Sequence, residues 1–197
     1  MFNETSFNDY TKILKLGDDH QIAFTDGGCH PNNKSKNSRG GYASIFTSGL
    51  YKNTQIYGSL NTEKFNASNI RAEGMAIYQT LKFIKNCNDK WVKLTIVTDC
   101  EFWVNMIQNY MPKWTKKKFK SHQNSDLTEK IWITYNELLK DGEIYFIHIK
   151  SHNKDGWREY PEGSFERYCY IKNDEVDKLC NFARLNLKTG IGIIKKK

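Results

Sequence analysis

Short apolar runs alternate with longer amphipathic segments along this chain. Five of the runs have the length and the β-branched or aromatic content of strands; they lie at about 22–26, 42–46, 54–60, 92–98 and 143–149. Four longer segments repeat apolar residues at helical spacing; they cover about 69–86, 101–108, 126–140 and 174–187. The element order is therefore β-β-β-α-β-α-α-β-α.

This order predicts an α/β fold with a mixed five-stranded sheet flanked by helices. The first three strands are joined by short connections and run antiparallel, whereas right-handed crossovers place the last two strands parallel to the first. Three segments interrupt the pattern: a turn-rich loop at 27–41, a basic segment at 113–120 after the helix breaker Pro112, and an irregular polar stretch at 151–172.

The length of 197 residues suits one domain with a substantial core. We expect this domain to cover residues 21–190, after a polar lead-in at 1–20 and before a basic tail at 191–197. The first residues lack the layout of a signal peptide, and no apolar run approaches the roughly 20 residues that cross a bilayer. The five scattered Cys form no C-x-x-C pair, which favours reduced thiols. We therefore expect an intracellular protein, cytoplasmic or nuclear, that is neither secreted nor bound to a membrane.

The net charge is +8, and the 30 basic residues comprise 25 Lys and 5 Arg. Lys is a mobile point charge suited to phosphates, whereas Arg is the usual reader of bases. A nucleic-acid partner would therefore be held by its backbone, with little sequence specificity. The alternative is that an AT-rich genome alone produces the excess of Lys.

Two of the predicted strands run directly into a carboxylate, at Asp26 and at Asp99. Ligands of open α/β sheets bind beyond the carboxyl ends of the strands, so both side chains are candidates for one site. Two like charges held together there call for a cation, and hard oxygen ligands favour Mg²⁺ or Mn²⁺. The alternatives are local: Asp26 begins a turn before Gly27, and Asp99 caps the helix that follows.

Four short motifs, each weak alone, follow one another between about residues 20 and 187. They are Thr25-Asp26-Gly27-Gly28-Cys29 with Gly40-Gly41-Tyr42-Ala43, then Asn69-Ile70-Arg71-Ala72-Glu73, then Ile96-Val97-Thr98-Asp99, and finally Ile149-Lys150-Ser151-His152 with Asn173-Asp174-Glu175-Val176-Asp177. In this order the chain resembles the type 1 ribonuclease H family. The resemblance implies hydrolysis of the RNA strand of RNA–DNA hybrids by two metal ions, with 5′-phosphate and 3′-hydroxyl products.

By matched position, the resemblance implies four carboxylate metal ligands, Asp26, Glu73, Asp99 and Asp177. Two cations about 4 Å apart need several anionic oxygens to lie so close together. Glu73 has an alternative role, because a carboxylate in the first turn of a helix is favoured by the helix dipole. Asp174 shares a helix face with Asp177, but the family spacing from Asn173 selects Asp177, which leaves Asp174 as a helix cap and Glu175 in solvent.

His152 matches a loop histidine that the family uses near the scissile phosphate, in proton handling or product release. The alternative is a solvated loop histidine. This chain departs from the family here, because about 20 residues separate His152 from Asn173, several times the usual interval. The insert at about 153–172 is rich in aromatic residues, which suggests a lid over the site or an extension of the substrate groove.

The basic segment resembles, in shorter form, the family's protrusion that holds the DNA strand. Its candidates for substrate binding are Trp114, Lys116, Lys117 and Lys118. The alternative is a solvated charge run with Trp114 as its anchor. The resemblance adds Gly27 and Asn69 as contacts to the RNA 2′-hydroxyl and Ser68 as a contact to a DNA phosphate.

We therefore expect a monomeric, Mg²⁺-dependent endonuclease, with Mn²⁺ as a possible substitute, that acts on RNA–DNA hybrids. Two other functions stay open. One is a DNA-processing nuclease of the same fold, of the integrase, resolvase or exonuclease kind. The other is a catalytically weak protein that binds hybrids or double-stranded RNA.

Overall fold

A six-stranded mixed sheet with helices on both faces forms the protein in a computed structural model, which describes residues 18–31, 38–60, 67–87, 89–150, 156–186 and 190–195. The strands are β1 (His20–His30), β2 (Arg39–Ser48), β3 (Thr54–Ser59), β4 (Lys93–Thr98), β5 (Glu143–His148) and β6 (Gly190–Lys195). The α-helices are α1 (Asn69–Asn86), α2 (Glu101–Asn105), α3 (Lys116–Ser121), α4 (Ser125–Leu138) and α5 (Phe165–Asn186).

The strand order is β5-β4-β1-β2-β3-β6. β1 lies at the centre, antiparallel to β2 and parallel to β4, and β5 is parallel to β4. This arrangement confirms the predicted α/β fold and its antiparallel and parallel halves. The sheet has six strands where the sequence analysis predicts five, because residues 190–195 pair antiparallel with β3.

The two faces of the sheet carry separate apolar cores. On one face α1 and α4 cover alternate residues of β1, β2 and β4, with Ile77, Leu81 and Ile131 fully buried. On the other face α5 covers the remaining alternate residues, including Phe24 and Val97. This alternation is the two-residue period of strands buried on both sides. In the described part of the chain, no helix has the length and apolar character needed to span a bilayer.

Two segments are more helical than the sequence pattern predicts. After α2 the chain continues through a π-helical turn at Met106–Tyr110 and a 3₁₀ turn at Met111–Lys113. Pro112 lies at the start of that 3₁₀ turn, where a missing N–H is tolerated, so the helical path does not end before it.

The second difference concerns the insert, whose prediction as irregular up to residue 172 is wrong. A 3₁₀ turn occupies Gly156–Glu159, and α5 already begins at Phe165. The added turns are helical because they bury Tyr168 and Cys169 against the sheet, with the Tyr168 ring edge-on to Phe24 at 5.7 Å. Residues 165–172 therefore complete a core and do not form a lid.

Helix α1 lies unusually close to β1 at Gly27. A Cβ atom at Gly27 would lie 2.1 Å from the carbonyl carbon of Ala72 and 2.1 Å from the backbone nitrogen of Glu73. Only glycine allows this approach, because the atoms in the way are backbone and cannot rotate aside. The contact fixes the height of Glu73 above β1.

We predict that Gly27→Ala lowers the free energy of unfolding by about 1–3 kcal/mol or more, because overpacking against rigid backbone forces α1 away from β1. Urea denaturation measures the loss. Gly28→Ala is the matched control, since its Cβ would meet only the Cys180 sulfur at 3.7 Å, an ordinary contact distance. Equal stability of the two variants would contradict this account of the packing.

Candidate active site

Asp26 and Asp99 lie side by side where the parallel pairing of β1 with β4 ends. The register pairs Thr25 of β1 with Thr98 of β4, and each aspartate is the next residue along its chain. Asp26 is still within β1, opposite Ala43, so it does not begin a turn. The N-cap of α2 is Cys100, so the capping role considered for Asp99 is wrong as well.

Glu73 reaches the same point from above the sheet. It is the fifth residue of α1, which begins at Asn69 and is capped by the Ser68 side chain. Glu73 therefore lies beyond the first helical turn, and the alternative explanation by the helix dipole is wrong. The close approach at Gly27 brings its carboxylate to Asp26.

The three carboxylates form one compact cluster. Asp26, Glu73 and Asp99 each offer an oxygen that lies within 4.8 Å of the others. Asp26 is 7% exposed and Glu73 is 8% exposed. Burial, followed by the charges of Asp99 and Asp177, raises the pKa of Asp26 to about 7. Burial, followed by the charges of Asp26 and Asp99, raises the pKa of Glu73 well above its ordinary value.

The cluster suits a divalent cation. Its ligand atoms are all carboxylate oxygens, which Mg²⁺ and Mn²⁺ prefer over nitrogen or sulfur. The Glu73 Oε2 atom is buried without a hydrogen-bond partner among the described residues, although buried acceptors normally have one. An unpaired oxygen within a concentration of like charge is what a cation would neutralise.

Asp177 lies next to this cluster on α5 and is exposed. The cluster within 4.8 Å does not include it, yet its charge contributes to the raised pKa of Asp26. Asn181 donates a hydrogen bond to the Asp177 Oδ1 atom at 3.0 Å. Asp174 lies inside α5, where it pairs with Lys178, so it does not cap the helix as expected. Glu175 is exposed, as predicted, and pairs with Lys172.

His152 lies outside the described residues. Ser68 and Asn69 lie at the start of α1, the helix that carries Glu73. The Ser68 hydroxyl accepts a hydrogen bond from Arg71 N at 3.2 Å, and the Asn69 Oδ1 atom accepts one from Cys29 N at 2.8 Å. Both residues also line a groove of about 320 Å³, together with Ile70, Phe102, His122, Gln123 and Asn124.

The sequence analysis does not predict the segment that lines the far wall of this groove. It is the turn 122–124, held by Asn124 in the left-handed conformation at φ 61°. Arg71, which is 4% exposed, binds both oxygens of Asp126 at 3.0 and 2.7 Å and donates to Asn124 at 3.1 Å. This network ties the turn to α1. Arg71 is 53 residues from Asn124 and 55 from Asp126 along the chain, so no local spacing pattern predicts this network.

The basic segment forms helix α3 beside the same groove, because His122 follows its last residue. Lys116, Lys117 and Lys118 are exposed. Trp114 is half-buried, with its ring 5.1 Å from that of Phe119 and 4.8 Å from that of His122, and it packs against the core. Trp114 therefore anchors the segment while part of its surface stays accessible.

Comparison with known proteins agrees with this geometry. The family model described as RNase H matches residues 18–183. Proteins of Campylobacter jejuni named ribonuclease H and ribonuclease HI are 31% identical over 169 residues, which cover 85% of this chain and 93% of theirs. A ribonuclease H of Clostridium botulinum is 26% identical over 165 residues, 82% of this chain and 93% of its own.

Solved structures share the fold at lower identity. LC11-RNase H1 from compost, in complex with an RNA/DNA hybrid, gives a TM-score of 0.54 at 19% identity over 83% of this chain and 96% of its own. The prototype foamy virus protease-reverse transcriptase gives 0.64 at 15% identity, over 86% of this chain but 21% of its own. The family match covers most of the sequence, and the carboxylate cluster lies within it. The chain belongs to the RNase H family.

Proposed function

We propose that this protein hydrolyses the RNA strand of RNA–DNA hybrids endonucleolytically, leaving 5′-phosphate and 3′-hydroxyl ends. The observation that carries the proposal is the convergence of Asp26, Glu73 and Asp99 within 4.8 Å in a chain of the RNase H family. Asp26 lies on β1, Asp99 directly follows β4 and Glu73 lies on α1, and the glycine contact at Gly27 holds the helix in place.

Asp26, Glu73 and Asp99, joined by Asp177 from α5, would hold two Mg²⁺ ions, with Mn²⁺ as a substitute. Such cations, when bound, supply activation of a water molecule and stabilisation of the leaving 3′-oxygen. The raised pKa values of Asp26 and Glu73 support this assignment, because burial and then the charges of neighbouring carboxylates raise them, and a bound cation would offset both effects.

The other residues of the proposed site would position the hybrid and move a proton. Gly27 follows Asp26 on β1 and Asn69 begins the helix that carries Glu73, and both would contact 2′-hydroxyl groups and so distinguish RNA from DNA. His152 would exchange a proton near the scissile phosphate, since an imidazole titrates close to neutral pH.

The DNA strand would lie across the groove towards α3. Ser68 lines the groove at the start of α1, and Lys116, Lys117 and Lys118 supply positive charge beyond its far wall. Contacts of this kind are electrostatic and independent of sequence. Since every proposed contact comes from one chain, we expect the protein to act as a monomer. An intracellular location stays a prediction.

Asp99→Asn tests the carboxylate cluster. Loss of a group that hydrogen-bonds to a metal ligand already lowers metal affinity or activity by about 10–100-fold in many enzymes. Loss of a proposed ligand itself should therefore lower Mg²⁺-dependent cleavage of a labelled hybrid by about 100-fold or more. Gel analysis of a 5′-labelled RNA strand measures the rate, and chelation of the metal should abolish it.

The matched control is Asp174→Asn, an exposed aspartate of α5 that pairs with Lys178 outside the cluster; it should cleave at the wild-type rate. Hybrid binding by the wild type without any metal-dependent cut would overturn the proposal in favour of a binding protein. Preferred cleavage of duplex DNA would overturn it in favour of a DNA-processing nuclease.

Replacement of Lys116, Lys117 and Lys118 by Ala should make hybrid binding less sensitive to salt. Each phosphate contact contributes about 0.9 to the slope of log affinity against log salt concentration, so the slope should fall by about 1 to 3. Fluorescence anisotropy with a labelled hybrid at several salt concentrations measures it.

A second triple variant controls for net charge. Lys52, Lys90 and Lys140 are exposed and lie next to β3 or just before β4 and β5, at the end of the sheet opposite the carboxylates. Their replacement by Ala removes the same charge and should leave most of the salt dependence of hybrid binding unchanged. Equal effects of the two variants would remove α3 from the substrate interface.

A further inference from the structure

The thiol of Cys180 bridges the two central antiparallel strands next to the carboxylate cluster. Cys180 lies on α5 and is 1% exposed. Its sulfur accepts a hydrogen bond from the Gly28 N–H at 3.1 Å and donates one to the Gly41 carbonyl at 3.2 Å. Gly28 and Gly41 are direct partners in the β1–β2 ladder, so one side chain contacts both members of the pair.

Helix α5 lies directly on the strands at this point. A Cβ atom at Gly41 would lie 2.4 Å from the Cys180 carbonyl oxygen and 2.7 Å from the Arg184 nitrogen. No side chain separates the helix backbone from β2 there. The thiol hydrogen bonds therefore act at a place where the helix backbone lies directly against the strand.

This contact lies close to two carboxylates that repel each other, Asp26 and Asp177. Gly28 follows Asp26 by two residues on β1, and Cys180 follows Asp177 by three residues on α5, which is about one helical turn. The charge of Asp177 helps to raise the pKa of Asp26, so the two groups interact. That repulsion tends to push α5 away from β1, whereas the bridge between Cys180 and the strands opposes it.

We propose that Cys180 is a positioning residue that holds the Asp177 turn of α5 at the height above β1 needed for Asp177 to join Asp26 in binding the divalent cation. This inference rests on the proposed function, because it takes Asp177 as a ligand. Cys180 contacts neither the substrate nor the cation, and it acts through the hydrogen bonds to Gly28 and Gly41.

The same helix provides a matched comparison at Cys169. Cys169 is 2% exposed and belongs to the same apolar cluster under α5. Within the described part of the chain it makes no comparable bridge between strands, and it lies more than two turns from Asp177. Loss of either thiol removes a similar buried volume, but only loss of the Cys180 thiol removes the hydrogen bonds to Gly28 and Gly41 beside the carboxylates.

Calorimetric titration of the free protein with Mn²⁺ tests the proposal without measuring cleavage. Loss of a weak hydrogen-bonded bridge should weaken Mn²⁺ binding of Cys180→Ala and Cys180→Val by about threefold or more. Cys180→Ser keeps a group that both donates and accepts, so its affinity should stay within about twofold of wild type. Cys169→Ala should bind Mn²⁺ as the wild type does, although its melting temperature falls.

Two results would overturn the proposal: wild-type Mn²⁺ affinity in Cys180→Val, or equal weakening in Cys180→Val and Cys169→Ala at matched stability. The comparison of Cys180→Ser with Cys180→Val keeps the test valid even when the alanine variant does not fold. If the wild type binds Mn²⁺ but does not cleave hybrids, the proposed function fails, while the pattern of affinities still decides the role of Cys180.

Discussion

Repulsion between buried carboxylates is the constraint on which this structure depends. Asp26, Glu73 and Asp99 are held within 4.8 Å of one another, two of them almost out of contact with water. Charges in such a place raise each other's pKa values, and in isolation they would separate or take up protons. They stay together because each is attached to an element that cannot move independently of the sheet.

The rigidity of those attachments comes from close backbone packing more than from side-chain contacts. Gly27 lets α1 lie against β1, and Gly41 lets α5 lie against β2. The buried Trp103 ring occupies the space left by Gly74 on α1, and its indole nitrogen donates to the Ile70 carbonyl at 2.6 Å. Each contact fixes one of the elements that carry the carboxylates or brace them.

The central part of the fold follows from the sequence, because buried strands and amphipathic helices have characteristic periods. The edges follow less well. β6 alternates Gly with Ile beside a run of Lys, a pattern with too few side chains to predict a strand without its partner β3. The sequence pattern does not predict the first turns of α5, because Tyr168 and Cys169 are core residues only once Phe24 lies beneath them.

The site shows a similar division. Asp26 and Asp99 can be found from the pattern alone, since a strand that ends in a carboxylate points to a sheet edge. Glu73 and Asp177 required the family resemblance, because acidic residues on helices are common. The turn 122–124 could not be found, because it depends on the positive φ of Asn124 and on a pairing between Arg71 and Asp126 that are 55 residues apart.

The partly buried ion pair between Arg71 and Asp126 has a consequence for how substrate would be handled. Arg71 is two residues from Glu73 on α1, and Asp126 is at the start of α4, directly after the turn that ends α3. The ion pair therefore holds the carboxylate cluster and the lysines of α3 at a fixed distance from each other. If α3 binds one strand of a duplex, the protein sets the distance along the duplex between that contact and the bond that is cleaved. Cleavage would then occur at a fixed distance from the position that α3 binds.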